Sequence, residues 1–313
     1  HAAPKFRWKM TPSFPPGLPF YQSGPGSAEW IVKQIDEATD GRLKIKLFAA
    51  GELVKWNGGF DAVTGGTVEA NSAVAYYWSG KAPALQYFGT VPFGMTFQGQ
   101  NAWYYHGGGL ELWNEIYNDF GAIGMPGGNS GVQMTGWFKK PVSGLADFKG
   151  LKMRIPGLGG KIYKAIGVNV KSLGGGDIFP ALERGVIDAA EWINPGEDIR
   201  LGLHQVWKNY YLQGFHQASD LGSIIINKDF WNKLPADLQA IIKTAAKASV
   251  TDSIAINIHK NAAALKEMQD KHGVTVHDTP KDLYPAFLKS SKQLLAKYSA
   301  KVPFFKKVAD SQK

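Results

Sequence analysis

Leu43-Lys44-Ile45-Lys46-Leu47 alternates apolar and basic side chains with the period of a strand that buries one face and wets the other. Upstream of it, Ser27 can cap a helix running to about Thr39, with Trp30, Ile31 and Ile35 on one face and Gly41 ending it. Further upstream, Phe6–Met10 reads as a first strand, and it enters the stretch Thr11–Pro19. Pro12, Pro15, Pro16 and Pro19 predict a loop there, because proline supplies no ladder donor and breaks a helix. Downstream, a helix near Leu53–Thr64 leads to a strand around Val68–Tyr76. Strand, helix, strand, helix, strand in that order predicts a parallel or mixed sheet covered by helices.

A second α/β set follows a Gly-rich passage, Gly121–Gly131. Its expected elements are strands at Val132–Phe138, Gly150–Ile155, Val168–Ser172 and Val186–Trp192, a helix over about Gly160–Ile166, and a helix capped by Asp177 and ending at Arg184. Tyr210–Gly214 and Gly222–Asn227 read as chain returning toward the first set. Pro235 to His272 is helical throughout, with Gly273 as its stop. As one rod it would measure about 57 Å, so it must bend or lie across both sets. A last strand at Val274–His277 and one or two helices from Pro280 to Ala309 complete the chain. With no repeat and no low-complexity linker, the two sets must be joined by short crossings, expected near residues 125, 213 and 252. Lobe I is therefore expected at 1–124 plus 213–251, and lobe II at 125–212 plus 252–313.

The bulk composition fits that division. The 313 residues are 44% hydrophobic and 19% charged, an ordinary globular balance that argues against disorder. Ten Trp, twelve Tyr and seventeen Phe give area for cores and for cleft walls. The absence of cysteine removes disulfides, thiolate metal sites and cysteine nucleophiles together. No apolar run approaches the roughly 18–20 residues that span a bilayer, and no export signal is present, so an exported protein would be represented here in its mature form. The net charge of +9 invites a nucleic-acid reading, but the lysines are dispersed along amphipathic segments without a basic block. Diffuse positive charge of this kind can recruit a small anion.

Catalytic templates are missing. There is no G-x-S-x-G elbow, and Gly157-Leu158-Gly159-Gly160-Lys161 lacks both the spacing and the Ser or Thr of a phosphate loop. Gly107–Gly109 and Gly174–Gly176 read as turns. His204 and His216 have no metal-ligand spacing and read as surface or supporting histidines. The second set does hold a constellation. Gln133 lies among Val132, Met134, Trp137 and Phe138, Arg154 ends a strand before Pro156-Gly157, and Glu191-Trp192 ends another. Ligands of open α/β sheets bind beyond the carboxyl ends of strands, so these residues can converge on one cleft. Arginine grips a carboxylate through two parallel hydrogen bonds. Glu191 would repel an anionic ligand unless a cation lay between them, and the plain alternative is that Glu191 pairs with Arg154.

In these residues the chain resembles the solute-binding subunits of tripartite ATP-independent periplasmic (TRAP) transporters, over essentially its whole length. Gly150-Leu151-Lys152-Met153-Arg154 matches the family's hallmark, whose arginine holds the substrate carboxylate. Gly128–Phe138 and Asp188-Ala189-Ala190-Glu191-Trp192 resemble the branch that binds 2-oxo or 2-hydroxy monocarboxylates through a metal ion. The resemblance implies a two-lobe α/β periplasmic-binding fold with mixed sheets. It implies a small organic acid anion as ligand, TRAP membrane permease subunits as partners, and Na⁺ or Ca²⁺ as the cation. It gives Gln133 (amide oxygen), Glu191 (carboxylate) and Trp192 (backbone carbonyl) to that cation, and Arg154 to the acid. Tyr77 would add a wall from lobe I, a part that Tyr76 or Trp78 could also fill.

Two departures accompany the resemblance. Relatives often carry Glu where this chain has Gln217, a candidate metal-site residue with one negative unit fewer. Relatives also tend to continue Glu-Trp with V-G-P-Y, and here Ile193-Asn194-Pro195-Gly196 offers Asn194 as a polar ligand contact. The branch can dimerise by exchanging a C-terminal helix, and Leu288, Leu294, Leu295, Tyr298 and Val302 make Ala286–Lys313 amphipathic enough, although a helix docked on its own chain explains the same pattern. The alternatives are an enzyme using Glu191 as base, for which no histidine is expected in the cleft, and a binding protein of an ATP-driven importer.

Overall fold

A computed structural model describes residues 5–18 and 24–313; Pro19, read as part of the first loop, lies outside the described residues. Among the described residues the chain forms two sheets. The first has strands in the order β2-β1-β3-β10-β4, from β1 (Phe6–Pro12), β2 (Leu43–Leu47), β3 (Ala70–Ala73), β4 (Ala122–Asn129) and β10 (Leu221–Asn227). The second runs β11-β9-β5-β8-β6-β7, from β5 (Met134–Phe138), β6 (Lys152–Arg154), β7 (Asn169–Lys171), β8 (Ala189–Ala190), β9 (Asn209–Gln213) and β11 (Thr275–His277). β1 is parallel to β2 and β3, whereas β10 runs antiparallel to β3 and β4, so the first sheet is mixed. The second is mixed as well, with β6 parallel to β7 and β8 and β5 antiparallel to β8 and β9. This is a two-lobe α/β fold. The chain passes between the sheets at 130–133 and again at 214–220.

Local signals hold well where a cap or a period dictates them. Ser27 caps α1 (Ala28–Ala38), its Oγ accepting from the Trp30 N–H at 3.1 Å. β2 buries Leu43 and Ile45 and exposes both lysines. The long helix spans Ala236–His272, 37 residues, and ends at Gly273 with φ +64°. It crosses both lobes. Leu238, Ile242, Ala245 and Ala246 enter the core under the first sheet, and Met268 enters that of the second.

Other segments differ from the reading of the sequence. β1 continues through Thr11 and Pro12, which pair with Asn71 and Ser72; Pro12 is its last residue, where a missing donor costs little. The helix expected from Leu53 is reduced to α2 (Gly59–Thr64), since Leu53 is exposed and nothing buries a helical face before Gly59. The strand expected at Val68–Tyr76 closes after Ala73 into a 3₁₀ turn, Ala75–Trp78. The Gly-rich passage is itself strand β4. A Cβ at Gly124 would lie 2.4 Å from the Tyr117 ring, and one at Gly127 would lie 2.7 Å from Ile224. These glycines leave room for neighbouring side chains rather than for a turn. Asp177 does not cap its helix, which spans Gly175–Glu183 behind Gly174. The strand expected at Val186–Trp192 pairs only through Ala189 and Ala190, freeing Glu191 and Trp192 to turn into the cleft.

The C-terminal helices, Leu283–Lys301 and Pro303–Ser311, pack on their own chain. Phe287 enters the core of the second lobe, whereas Phe305 and Val308 enter the aromatic core of the first, beside Tyr87 and Trp103. The last helix therefore joins lobe I rather than the lobe II expected for 252–313. Leu295, Tyr298 and Val302, read as an exchange face, pack against that first core.

Candidate functional site

Between the lobes lies a small cavity, with about 10 Å³ of room for a water-sized sphere. Its walls carry Phe14, Val74, Tyr76 and Tyr77 from the first lobe, Gln133, Arg154, Pro156 and Glu191–Ile193 from the second, and Asp220 from the return crossing. A larger groove of about 490 Å³ runs beside β4 between Leu110, Trp231 and Lys247, away from these residues. The cleft is the better candidate because buried charges and unpartnered polar atoms converge there.

Arg154 is placed by β6, whose register sets it beside Ala190 of β8. It is 1% exposed. Its Nε donates to the Leu173 carbonyl at 3.1 Å, and its Nη1 donates to the Glu191 carbonyl at 2.8 Å and to Glu191 Oε1 at 3.0 Å. The Nη2 edge is left for the cavity, where the Tyr77 hydroxyl lies beside the guanidinium. Burial pushes the Tyr77 phenol up to about 12, and Arg154 opposes that rise. The Trp192 ring covers the guanidinium at 5.3 Å and meets the Phe14 edge at 6.4 Å. The plain reading of Arg154 and Glu191 as a buried ion pair therefore describes the present geometry.

Several buried oxygens have no hydrogen-bond partner: Gln133 Oε1, Glu191 Oε2, Gln217 Oε1, Asp220 Oδ1 and Asn194 Oδ1. Leaving one such group dry and unpaired costs about 1–3 kcal/mol, so a cluster of them marks a place for hydrogen-bond donors or a cation. Gln133, Glu191 and Asp220 face the cavity. Gln217 sits one step behind, its Nε2 3.4 Å from the Tyr76 hydroxyl and its carbonyl accepting from the Gln133 N–H. Asn194 does not reach the cavity wall. Its Nδ2 donates to the Ser130 carbonyl at 2.8 Å, bracing the turn after Trp192. Among the described residues no cluster of three His, Cys, Asp or Glu could hold a metal; amide, carbonyl and paired carboxylate oxygens are what the cleft offers, which suits Na⁺ or Ca²⁺.

Sequence reasoning missed Asp220. Its Oδ2 accepts from the Tyr76 hydroxyl at 2.9 Å and from Gln133 Nε2 at 3.2 Å. Burial, with Glu191 adding to it, pushes its carboxyl up to about 7 against those two donors. One signal was available: Asp220 is the sole acidic residue between Asp198 and Asp229, and it directly precedes an apolar strand. Both histidines are buried, so neither is a surface residue, and His216 takes the supporting place that the sequence allowed. His204 packs on the His272 ring at 4.5 Å and is not part of the cavity wall. His216 stands behind Glu191, its Nε2 3.4 Å from Oε2 and outside the cavity wall.

Glu197 and Asp198 lie buried in the helix that follows Asn194, Pro195–Leu201. Asp198 accepts from the Ile193 N–H, Trp137 Nε1 and the Tyr210 hydroxyl, which fixes the backbone leaving Trp192. Glu197 has no such set, and burial pushes it from 4.5 up to about 8 despite Arg200. The folded chain keeps a proton that the unfolded chain releases above 4.5, so this contribution is full below that pH and is lost as pH rises toward 8. Glu197→Gln is expected to flatten the decline of melting temperature between pH 5 and 8, recovering on the order of 2 kcal/mol at the upper end. Parallel melting curves for the two proteins would contradict this.

Residues 25–301 match the family model described as bacterial extracellular solute-binding protein, family 7 (DctP). A monocarboxylate 2-oxoacid-binding periplasmic protein of Nostoc sp. (strain PCC 7120) is 47% identical over 242 residues, which are 77% of this chain and 65% of that relative, just under two thirds of its length. A TRAP periplasmic solute-binding protein from Pseudoalteromonas atlantica T6c, solved with bound sodium and pyruvate, superposes with a TM-score of 0.92 at 35% identity, over 98% of this chain and 92% of that one. A TRAP transporter solute-binding protein from Bordetella bronchiseptica RB50, a mixed-occupancy dimer with copurified calcium and picolinate, superposes with a TM-score of 0.94 at 36% identity, over 99% of this chain and 92% of that one. No helix among the described residues is long and apolar enough to cross a membrane. With nearly the whole chain matched by one family and its fold shared at this level, the protein belongs to family 7 of the bacterial extracellular solute-binding proteins.

Proposed function

We propose that this protein captures a small 2-oxo or 2-hydroxy monocarboxylate, such as pyruvate or lactate, together with Na⁺ or Ca²⁺, in the periplasm and passes it to TRAP permease subunits. The observation that carries the reading is the opposition of Arg154 to the unpartnered oxygens of Gln133 and Glu191 across one small cavity. The sodium–pyruvate and calcium–picolinate complexes of similar proteins support it. Gln133, Glu191 and the Trp192 carbonyl would hold the cation, with Gln217 behind them. When bound, the ion supplies the positive charge that lets an acid approach Glu191.

The residues then act in a definite order. In the present geometry Glu191 occupies the Nη1 donors of Arg154, so the guanidinium offers a ligand only its Nη2 edge. Glu191 turned toward a cation releases one Nη1 donor, and Arg154 can then take the acid's carboxylate through two parallel bonds. Cation and acid thereby favour one another, as two ligands coupled through a shared side chain. Phe14, Tyr76, Tyr77 and Trp192 complete the enclosure from both lobes and exclude water, so ligand shifts the balance from open to closed. No bond is made or broken. His216 lies off the wall, so no histidine faces the ligand beside Glu191. A homodimer by exchange would have to reproduce in trans the packing of Phe305 on Tyr87.

Thermal melting with a panel of acids, in Na⁺, Ca²⁺ or chelator, tests the reading. Pyruvate or lactate at 100 times its Kd should stabilise the protein by about 2.7 kcal/mol, and only when a cation is present. A cation-independent shift by dicarboxylates or sugar acids would refute the cation-bridged site. Product formation from any acid in the panel would refute the binding role.

A further inference from the structure

We propose that Asp220 orients the Gln133 amide and supplies the charge that makes the cation position prefer calcium to sodium, an inference that rests on the cation-bridged reading above. The orientation follows from the hydrogen bonds. Gln133 Nε2 meets two groups, Ser130 Oγ at 3.2 Å and Asp220 Oδ2 at 3.2 Å. The Ser130 hydroxyl donates to the Gly131 carbonyl at 3.2 Å, so it faces Gln133 as an acceptor. A carboxylate is also an acceptor only. Two acceptors on one edge demand the NH₂ edge there, and the amide oxygen must point the other way. Oε1 is indeed the buried atom without a partner on the cavity side. A flipped amide would set its oxygen against the carboxylate of Asp220.

The charge follows from the pairing. Glu191 is offset by Arg154 at 3.0 Å. The hydrogen-bond partners of Asp220 are neutral, Tyr76 and Gln133, and among the described residues no lysine or arginine forms an ion pair with it. Its Oδ1 is buried, unpartnered and on the cavity wall. Gln217 adds no charge. With a monocarboxylate bound, Arg154, Glu191, Asp220 and the ligand sum to two negative units, which a divalent ion neutralises and a monovalent one does not. Removal of the Asp220 charge leaves one unit, the balance that suits sodium.

The test is calorimetric titration of the metal-stripped protein at pH 8, above the ordinary histidine range, first with calcium chloride alone and then with pyruvate in calcium or sodium. Asp220→Asn is expected to weaken calcium binding at least about 30-fold, as loss of a close, desolvated charge partner does, and to bring pyruvate affinity in sodium level with or above that in calcium. Because Asp220→Asn also disturbs the Gln133 bond, Asp220→Asn with Gln217→Glu, which moves the carboxylate within the same site, should recover calcium binding. Tyr76→Phe, which breaks the other Asp220 bond without changing charge, should keep the calcium preference. Equal calcium affinity in wild type and Asp220→Asn, or no calcium binding by the wild type, overturns the role of Asp220. Calcium binding that depends on Asp220 but never assists pyruvate supports this inference and rejects the proposed ligand instead.

Discussion

Arg154→Met is expected to lose both acid binding and a large part of the folding free energy. The side chain is fully enclosed, and its guanidinium is the ion-pair partner of Glu191 within the cleft. Removing one member of a buried pair leaves the other charge dry and uncompensated, at a cost of about 3–5 kcal/mol. Urea unfolding should show that loss, and calorimetry with pyruvate and either cation should show no heat. Two comparisons separate the roles. Arg154→Lys keeps the charge and most of the packing but loses the fork, so the fold should survive while acid affinity falls about 10–100-fold. Arg154→Met combined with Glu191→Met removes the orphan charge, and stability should return without binding. Wild-type affinity in Arg154→Lys would mean that Arg154 is a structural pair and the acid is held elsewhere.

Gly136→Ala is expected to injure the fold and the site through one contact. Gly136 has φ +120°, a region open in practice to glycine alone, and a Cβ there would lie 2.5 Å from the Ala190 carbonyl and 2.9 Å from the Glu191 Cα. Both obstacles are backbone, so β8 would have to move away from β5, taking Glu191 with it. Strain and clash together should cost about 2–4 kcal/mol, with cation-dependent pyruvate binding at least about 10-fold weaker because the site tolerates little displacement. Gly185→Ala is the comparison. Its φ is +67° and nothing lies within 4 Å of the added methyl, so it should cost about 1 kcal/mol and leave binding alone. Unchanged binding in a folded Gly136→Ala protein would show that Glu191 does not depend on the β5–β8 register.

Legibility in the sequence tracked how local the cause was. Ser27, Gly273 and the alternation at Leu43–Leu47 act within a few residues of the elements they define, and those elements formed as read. β4 was hidden because glycine argues against a strand locally, while the rings of Tyr117 and the branch of Ile224 that require it come from elsewhere in the chain. In the site, Arg154 ends β6, Glu191 and Trp192 follow β8, and Gln133 precedes the antiparallel β5, so the strand order of one sheet could bring them together. Asp220 arrives from the other lobe's strand, and only the return crossing places it opposite Gln133. Asn194 misled for the opposite reason. It follows Trp192 closely, but the backbone turn held by Asp198 directs it toward Ser130.

The helix Ala236–His272 bears on how the molecule moves. Its first half is clamped to β4, where Ser249 and Ser253 receive the backbone N–H groups of Gly128 and Asn129 at 3.0 and 2.7 Å. Its far end is seated on the second lobe through Met268, and Asn261 receives the N–H of Gly196. Between these anchorages, from Ala255 to Lys260, Asn257 alone is buried. A beam fixed at both ends and free in the middle behaves as a leaf spring. Parting of the lobes loads it in flexure spread over about one and two-thirds turns, as the gentle curvature that helices accept without losing hydrogen bonds. Recoil then comes from the backbone itself, so the stiffness of this span tunes the ease of opening from a distance, with no change to any group that touches the acid.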